Sequence, residues 1–377
     1  MSAQPELQPP EPITPADVVF TEATPHQRVL SWELNGASWA PPMTIEQYVG
    51  RETTLSQTAL SADGGTKYFV LHPKTDPSTI VSACEVTTKR ALVASPSDGT
   101  VREVAAYSIA SVFTNPRFRQ QGMAGYMLRQ VQAAVDGTTE CGALYSDIGR
   151  RYYTRLGWKD FRSPQVLLAF AAEGQQQSFP APPEGVSLLK AEDVPALCAR
   201  DVAALRARFQ RYAVESGDGG KTRVVFLPTA EQLAWHFARD KYVCQTLLGR
   251  EVVYRGAQTA DGSAWIYWDH DLREKKLKVL RIVTGERDSE EKRRGDVRAL
   301  VLAALAEAKA WGLHKVLVWE PSVEVAAVAT DLWRELGPGL EVVFDEREDG
   351  SIPSLRWKEG KSLEGVEWED DEYYAWC

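Results

Sequence analysis

The stretch Arg119-Gln120-Gln121-Gly122-Met123-Ala124 constrains the fold more than any other part of this chain. Before it, residues 101–113 are rich in alternating apolar side chains, as a half-buried strand is, and the run stops at Thr114-Asn115-Pro116. After it, Met123, Met127, Leu128, Val131 and Val135 recur at helical spacing, which predicts an amphipathic helix over 122–135. A strand, a glycine-bearing turn and a helix N-terminus in that order can aim several backbone N–H groups at one point, at the positive end of a helix dipole. That geometry suits a pyrophosphate. The chain is therefore expected to be an enzyme holding a phosphate-bearing cofactor.

Composition narrows the class. The chain has 377 residues, long for one core, so two domains are expected. Its 44% hydrophobic and 25% charged residues are those of an ordinary globular protein. A formal net charge of −9 speaks against nucleic acid as a partner, because phosphate backbones need a clustered basic surface. The five cysteines are scattered with no C-x-x-C pair, and residues 1–15 are rich in Pro, Gln and Glu with no apolar core of a signal peptide. A reducing, cytoplasmic setting is expected. No apolar run is long and uncharged enough to span a bilayer, so no membrane partner is expected. The five histidines lack metal-ligand spacing, so no metal is expected.

Along the chain, residues 1–15 read as a flexible tail and 16–172 as the cofactor-holding domain. Residues 25–60 look helical, broken at Ala40-Pro41-Pro42. Strands are predicted over 67–72, 79–87, 101–113, 143–146 and 165–171, with a short helix over 150–156 closed by Gly157. Gln- and Pro-rich residues 173–186 read as a linker. In 187–346 helices are predicted over 192–212, 229–237, 296–311 and 323–336, and strands over 242–248, 251–257, 264–269, 277–283, 314–320 and 340–344. The order of elements repeats that of the first half, which predicts two similar αβ domains. In the second, Lys292-Arg293-Arg294-Gly295-Asp296-Val297 takes the place of the glycine turn. Asp296 sets a negative charge where a phosphate would sit, so no cofactor is expected there, and Asp296 is read as the N-cap of its helix. Residues 347–377 read as a C-terminal tail returning towards the active site.

The run Val112-Phe113-Thr114-Asn115-Pro116-Arg117-Phe118-Arg119-Gln120-Gln121-Gly122-Met123-Ala124 resembles motif A of the GCN5-related N-acetyltransferases (GNAT), a V-x-x-x-P strand end followed by an [R/Q]-x-x-G-x-[G/A] turn. Arg151-Tyr152-Tyr153-Thr154-Arg155-Leu156-Gly157-Trp158 resembles the F-Y-x-x-x-G-[F/W] segment of the same family. The resemblance implies a GNAT fold, α/β (α+β) with a mixed central sheet flanked by helices, followed by a degenerate GNAT-like domain. It implies acetyl-CoA as cofactor, with coenzyme A as product. Val112, Phe113 and Thr114 would offer main-chain groups to the pantetheine arm, and Arg119, Gln120, Gln121, Gly122, Met123 and Ala124 would cradle the pyrophosphate. Gln120 departs from the small residue usual in the motif. Tyr153 falls where the family places a general acid for the departing thiolate; the alternative is that it packs on the adenine side.

The base is open between two carboxylates. Glu85 lies on a predicted strand, with a structural or solvated glutamate as the bland alternative. The other is the α-carboxylate of Cys377, implied by analogy with the Eis-type acetyltransferases, whose terminal carboxylate enters the cleft. The tail Glu367–Cys377 is acidic and then aromatic, and Trp368, Tyr373, Tyr374 and Trp376 argue against a solvated end. Ser111-Val112-Phe113-Thr114, Leu144-Tyr145-Ser146-Asp147, Phe226-Leu227-Pro228-Thr229 with Trp235-His236, and Ala375-Trp376-Cys377 are similar to the fungal lysine N-acetyltransferases. That similarity implies a small-molecule amine partner, L-lysine, acetylated on its ε-amine in lysine breakdown. Another amine acceptor, or a sensor that binds acyl-CoA or an amino acid without turnover, stays open.

Overall fold

The structure is a computed structural model that describes residues 12–95, 99–170, 184–214, 220–285 and 288–376. Strand β1 (Val18–Glu22) leads into helices α1 (Pro25–Trp39) and α2 (Ile45–Ser56). Each helix begins with a capping box spelled in the sequence. Thr24 and Thr44 accept from the N–H groups of Gln27 and Gln47, and the glutamine side chains reach back to the threonine N–H groups. Next come β2 (Thr66–Pro73), β3 (Ser82–Ser95) and β4 (Thr100–Thr114), an antiparallel meander. Helix α3 (Met123–Val135) then crosses to β5 (Cys141–Ser146), parallel to β4. Helix α4 (Arg151–Thr154) precedes β6 (Lys159–Asp160) and β7 (Pro164–Phe170).

The second half holds β8 (Val186–Leu189), α5 (Val194–Val214), β9 (Thr222–Phe226), α6 (Ala230–Leu248), β10 (Gly256–Thr259), β11 (Trp265–Asp271) and β12 (Lys276–Val283). It continues through α7 (Glu290–Ala310), β13 (Lys315–Trp319), α8 (Val323–Leu336), β14 (Leu340–Glu346), β15 (Ile352–Trp357) and β16 (Val366–Trp368). Among the described residues no helix is long and apolar enough to cross a membrane.

Two mixed sheets result. The first runs β1-β2-β3-β4-β5-β15-β6, with β9 pairing β3 and β16 pairing β9. The second runs β14-β7-β13-β12-β11-β10-β8. The halves exchange strands. β7 leaves the first half to sit between β13 and β14, and β15 returns from the end of the chain to sit between β5 and β6. The units 16–172, 187–346 and 347–377 read from composition therefore cut across both sheets. The proposed linker at 173–186 lies mostly outside the described residues. The proposed tail at 1–15 ends in a docked segment: Ile13 is buried and its N–H donates to Gln121 Oε1 at 2.7 Å.

Strand alternation sorts side chains into layers. Tyr107, Ile109 and Leu144 face α3, where Met127, Leu128 and Val131 meet them. Ala106 and Ala143 face the other way, towards Leu233 and Phe237 of α6 and Tyr267 and Leu317 of the second sheet. The outer face of the second sheet, including Ile266, Val279 and Val318, is covered by Leu300, Ala304 and Val328 of α7 and α8. The first sheet needs one small residue here. A Cβ on Gly142 would lie 2.1 Å from the Tyr107 ring directly across the β4–β5 pair. Gly142→Ala is expected to cost about 1–3 kcal/mol from overpacking, read as a lower denaturant midpoint with an unchanged slope.

Three sequence readings are corrected. The strand expected over 251–257 is absent over 251–255, and β10 begins only at Gly256. The strand expected over 242–248 is the end of α6, one helix from its Thr229 cap to Gly249. Leu233, His236, Phe237, Asp240 and Cys244 are buried at helical spacing along it, and that stripe outweighs the local β preference of Tyr242-Val243. Asp296 is not an N-cap. The α7 cap is Ser289, which accepts from the Lys292 N–H, so Lys292–Asp296 is helix interior and the Asp296 carboxylate pairs with Lys292 at 2.7 Å.

Candidate active site

The site forms where β4 and β5 part. Their parallel pairing covers Ala106–Ile109 against Cys141–Leu144 and then stops. One extra residue in β4 bends it away, as the β3–β4 register slips between the pairs Ala83–Phe113 and Glu85–Ala110, and Ser111 takes a positive φ of 53°. The wedge opens a groove of about 700 Å³ lined by Val112, Phe113, Thr114, Arg119, Gln120, Gly122, Met123, Ala124, Tyr152 and Tyr153, among others. The structure thus brings together nearly all the residues singled out for a cofactor. Gln121 is the exception: its side chain holds Ile13.

The turn has the conformation an anion needs. Gln120 and Gly122 both have positive φ, 64° and 78°, so the departure at Gln120 is tolerated by a left-handed residue that carries a side chain. Gly122 caps α3 without a side chain, and the space a Cβ would take is open. The first N–H groups of α3 face that space at the positive end of the helix. The residues therefore fit a pyrophosphate held by main-chain amides. Arg119 serves differently from expectation. Its Nε donates to the Thr114 carbonyl at 3.1 Å and its guanidinium lies over Phe113, 5.3 Å from the ring centre, so it braces the turn. A Gly122→Val chain must hold a branched residue at positive φ, worth about 1–2 kcal/mol of strain. Its calorimetric Kd for coenzyme A is expected to rise by about tenfold.

A second cavity, about 300 Å³, adjoins the groove. Trp39, Ala110, Ser111, Tyr145 and Asp147 line both spaces. Glu85 of β3 lies in the wall of the inner cavity, beside the β4 bulge. Trp32 Nε1 donates to Glu85 Oε1 at 3.2 Å. Burial, and then the Glu52 carboxylate, push the Glu85 carboxyl up to about 8, against the Trp32 hydrogen bond and the Arg51 charge. Arg51 and Glu52, from α2, are themselves paired, with Arg51 Nε donating to Glu52 Oε1 at 2.9 Å. Tyr153 is 7% exposed and packs edge-on against Tyr152, ring centres 5.1 Å apart. Burial raises its phenol well above the usual tyrosine range, so it keeps its proton at neutral pH.

The acidic end of the chain is folded, not solvated, over its described residues. Arg281 of β12 bonds Glu372 at 2.7 Å and Asp370 at 3.1 Å, and Arg208 of α5 bonds Asp370 at 2.7 Å. The Ile282 N–H donates to Glu372 Oε2 at 2.9 Å, just where β12 has parted from β13, whose pairing ends at Val279–Val318. The tail so lines the wedge of the second sheet that matches the groove of the first. It then carries Tyr373 and Trp376 into the wall of the inner cavity. Asp371 accepts from the Tyr145 hydroxyl and ties the tail to β5. Cys377, the other expected base, lies outside the described residues.

Sequence reasoning missed several residues that the fold brings together. Glu52, Arg239 and Lys278 line the inner cavity from α2, α6 and β12, and no spacing in the chain links them to one another or to Tyr145 and Asp147 of the segment Leu144-Tyr145-Ser146-Asp147. Asp240, Cys244 and His270 also converge, in a buried group of metal-ligand type. There Asp240 accepts from Arg255 at 2.8 Å and pairs with His270 Nδ1 at 3.0 Å, while His270 Nε2 meets Glu307 at 3.1 Å. These carboxylates lift His270 to about 9 against the effect of burial, so both ring nitrogens carry protons and the group is an internal ion network.

Comparison with known proteins agrees with this geometry. The family model described as the LYC1 GNAT-like C-terminal domain matches residues 169–377. An uncharacterized protein of Saccharomyces cerevisiae, YGR111W, is 23% identical over 91% of this chain and 93% of its own length. Among solved structures, a probable N-acyltransferase from Enterococcus faecalis V583 superposes with a TM-score of 0.54 at 9% identity, covering 92% of this chain and 74% of that one. A GCN5-related N-acetyltransferase from Anabaena variabilis superposes with a TM-score of 0.52 at 14% identity, covering 90% and 72%. One from Kribbella flavida gives 0.51 at 16% identity, covering 90% and 71%. The chain belongs to the LYC1 GNAT-like family and has the fold of the GCN5-related N-acetyltransferases.

Proposed function

We propose that this protein is an acetyl-CoA-dependent N-acetyltransferase that acetylates the ε-amine of free L-lysine by direct attack in a ternary complex. The observation that carries the reading is Glu85: a carboxylate enclosed in a small cavity that opens directly into the groove under the β4–β5 wedge. Acetyl-coenzyme A supplies the acetyl group as a thioester. The amides of the Gly122 turn hold its phosphates, and the main chain of Val112 and Phe113 aligns its arm and polarises the carbonyl. An alkylammonium with a pKa near about 10 must lose a proton before attack, and Glu85 takes it. The Tyr153 hydroxyl gives its proton to the departing sulfur. A covalent acyl-enzyme has no support, since burial pushes the thiols of Cys84 and Cys141 up and both pack in cores.

Lysine rests on the resemblance of the sequence to the fungal lysine N-acetyltransferases and on the mixed charge of the inner cavity. The place proposed for the enzyme is the cytoplasm, at an early step of lysine breakdown, in keeping with four described cysteines that are all free and buried. The test is thiol release from acetyl-CoA with L-lysine, a polyamine, an aminoglycoside and a lysine-containing peptide, followed by mass analysis of the product. ε-N-acetyllysine as the preferred product supports the proposal. Preference for another amine moves the acceptor, and binding without thiol release across the set replaces the enzyme with a sensor.

A further inference from the structure

We propose that the Arg239 guanidinium receives the carboxylate of the amine substrate, so that the cavity selects amino acids over plain alkylamines. This rests on the inner cavity being the acceptor site. Arg239 lies on α6, in the second half of the chain, and lines the same cavity as Glu85. Of the other cations lining the cavity, Arg51 pairs with Glu52, Lys278 pairs with Asp269 at 3.2 Å and Asp271 at 3.9 Å, and Arg273 is exposed to solvent. Among the described residues Arg239 makes no ion pair and no hydrogen bond. Its guanidinium carbon lies 5.7 Å from the centre of the Trp376 ring, and the Asp271 and Asp269 carboxylates act on it from beyond ion-pair distance.

A guanidinium has five N–H donors in a planar fork that matches a carboxylate bidentately. Asp271 and Asp269 favour its charge from beyond ion-pair distance, but enclosing it sacrifices hydration and gains no hydrogen bonds in return. A ligand that brings its own carboxylate removes that penalty. The rest of the cavity sets the other end of such a ligand. Glu85 offers a carboxyl that can take an ammonium's proton, and Tyr48, Tyr68 and Trp235 supply walls for a methylene chain between the two ends. The cavity thus sets a guanidinium from α6 and a proton-accepting carboxyl from β3 into one space. A diamine offers nothing to Arg239 and sets a like charge beside it.

The test compares L-lysine with 1,5-diaminopentane, which is lysine without its carboxylate. In the native protein kcat/KM is expected to favour lysine by at least about tenfold, the worth of one charge-assisted pair. In Arg239→Gln that preference is expected to fall by about 10- to 100-fold. Arg239→Lys, which keeps the charge and loses the fork, is expected to recover part of it. Equal use of the two amines by the native protein, or an unchanged preference in Arg239→Gln, overturns the assignment while leaving the acetyl transfer intact. Calorimetric binding of the same two amines to the protein with coenzyme A reads the preference without turnover. Tighter binding of lysine that is lost in Arg239→Gln supports the role of Arg239 even if no thiol is released. No difference in affinity overturns it.

Discussion

Glu85→Gln is expected to lower kcat by about 10²- to 10⁴-fold, the usual worth of a positioned general base. The amide keeps the shape and the Trp32 hydrogen bond, since the side-chain oxygen still accepts from Nε1. It loses only the ability to take a proton. The pH profile gives a sharper reading. A carboxyl raised to about 8 is protonated below that pH and competent as a base above it. Native kcat/KM should therefore rise with pH through a limb near 8, and that limb should be missing in Glu85→Gln. Stability should move the other way. The unfolded chain ionises Glu85 at an ordinary carboxylate pKa, about 4.3, before the folded chain does. Native stability therefore falls as pH rises through the window between those two values. Glu85→Gln removes this dependence and should melt no lower than the native protein at pH 8, which separates lost chemistry from lost fold.

Tyr153→Phe is expected to lower kcat by about 10²-fold, with KM for acetyl-CoA changed by less than about threefold. The ring packs in the α3 core against Tyr152, and phenylalanine preserves that packing. Among the described residues no hydrogen bond engages the Tyr153 hydroxyl, so removing it leaves no buried partner unpaired. Since burial holds this phenol protonated across the working range, Tyr153 should contribute no limb to the pH profile near neutrality. Steady-state kinetics with thiol detection checks both parameters. A rate close to native would leave Tyr153 as a packing residue beside the cofactor.

The parts of this molecule that were legible in its sequence are the local ones. The β4 strand, the Gly122 turn, α3 and α4 are contiguous, and each carries its own signal: alternation, a glycine at positive φ, an apolar stripe, a closing Gly157. The capping boxes at Thr24 and Thr44 are equally local. What failed was long-range. Nothing in Pro164–Phe170 states that it pairs with β13 and β14 instead of with its own half, because an apolar strand specifies a face and not a partner. Ile352–Trp357 went unread for the same reason, although it fills a place between β5 and β6. Residues 242–248 were drawn towards a strand by their own composition, while the buried stripe that makes them helical begins nine residues earlier at Leu233. Asp296 looked like a cap because it precedes an apolar run, yet the true cap, Ser289, stands before a polar first turn.

The site follows the same division. The residues that line the groove were singled out by motif, and Glu85, which the fold sets in the inner cavity, by its place on a predicted strand. Its companions were not. Glu52 and Arg239 come from helices whose outward faces look like ordinary polar surface until α2 and α6 close over the cavity. The acidic tail gave half of its meaning away. Its aromatics announced docking, but only the fold supplies Arg208, Arg281 and the Ile282 N–H that hold Asp370 and Glu372 in the second wedge.

A crystal structure of the protein with coenzyme A and L-lysine is the decisive measurement. The pyrophosphate is expected against the amides of the Gly122 turn, the thiol at the β4–β5 wedge, and the ε-nitrogen in the inner cavity within hydrogen-bond reach of Glu85. Pyrophosphate bound away from that turn, or an amine with no path from Glu85 to the thiol, would contradict the proposed mechanism.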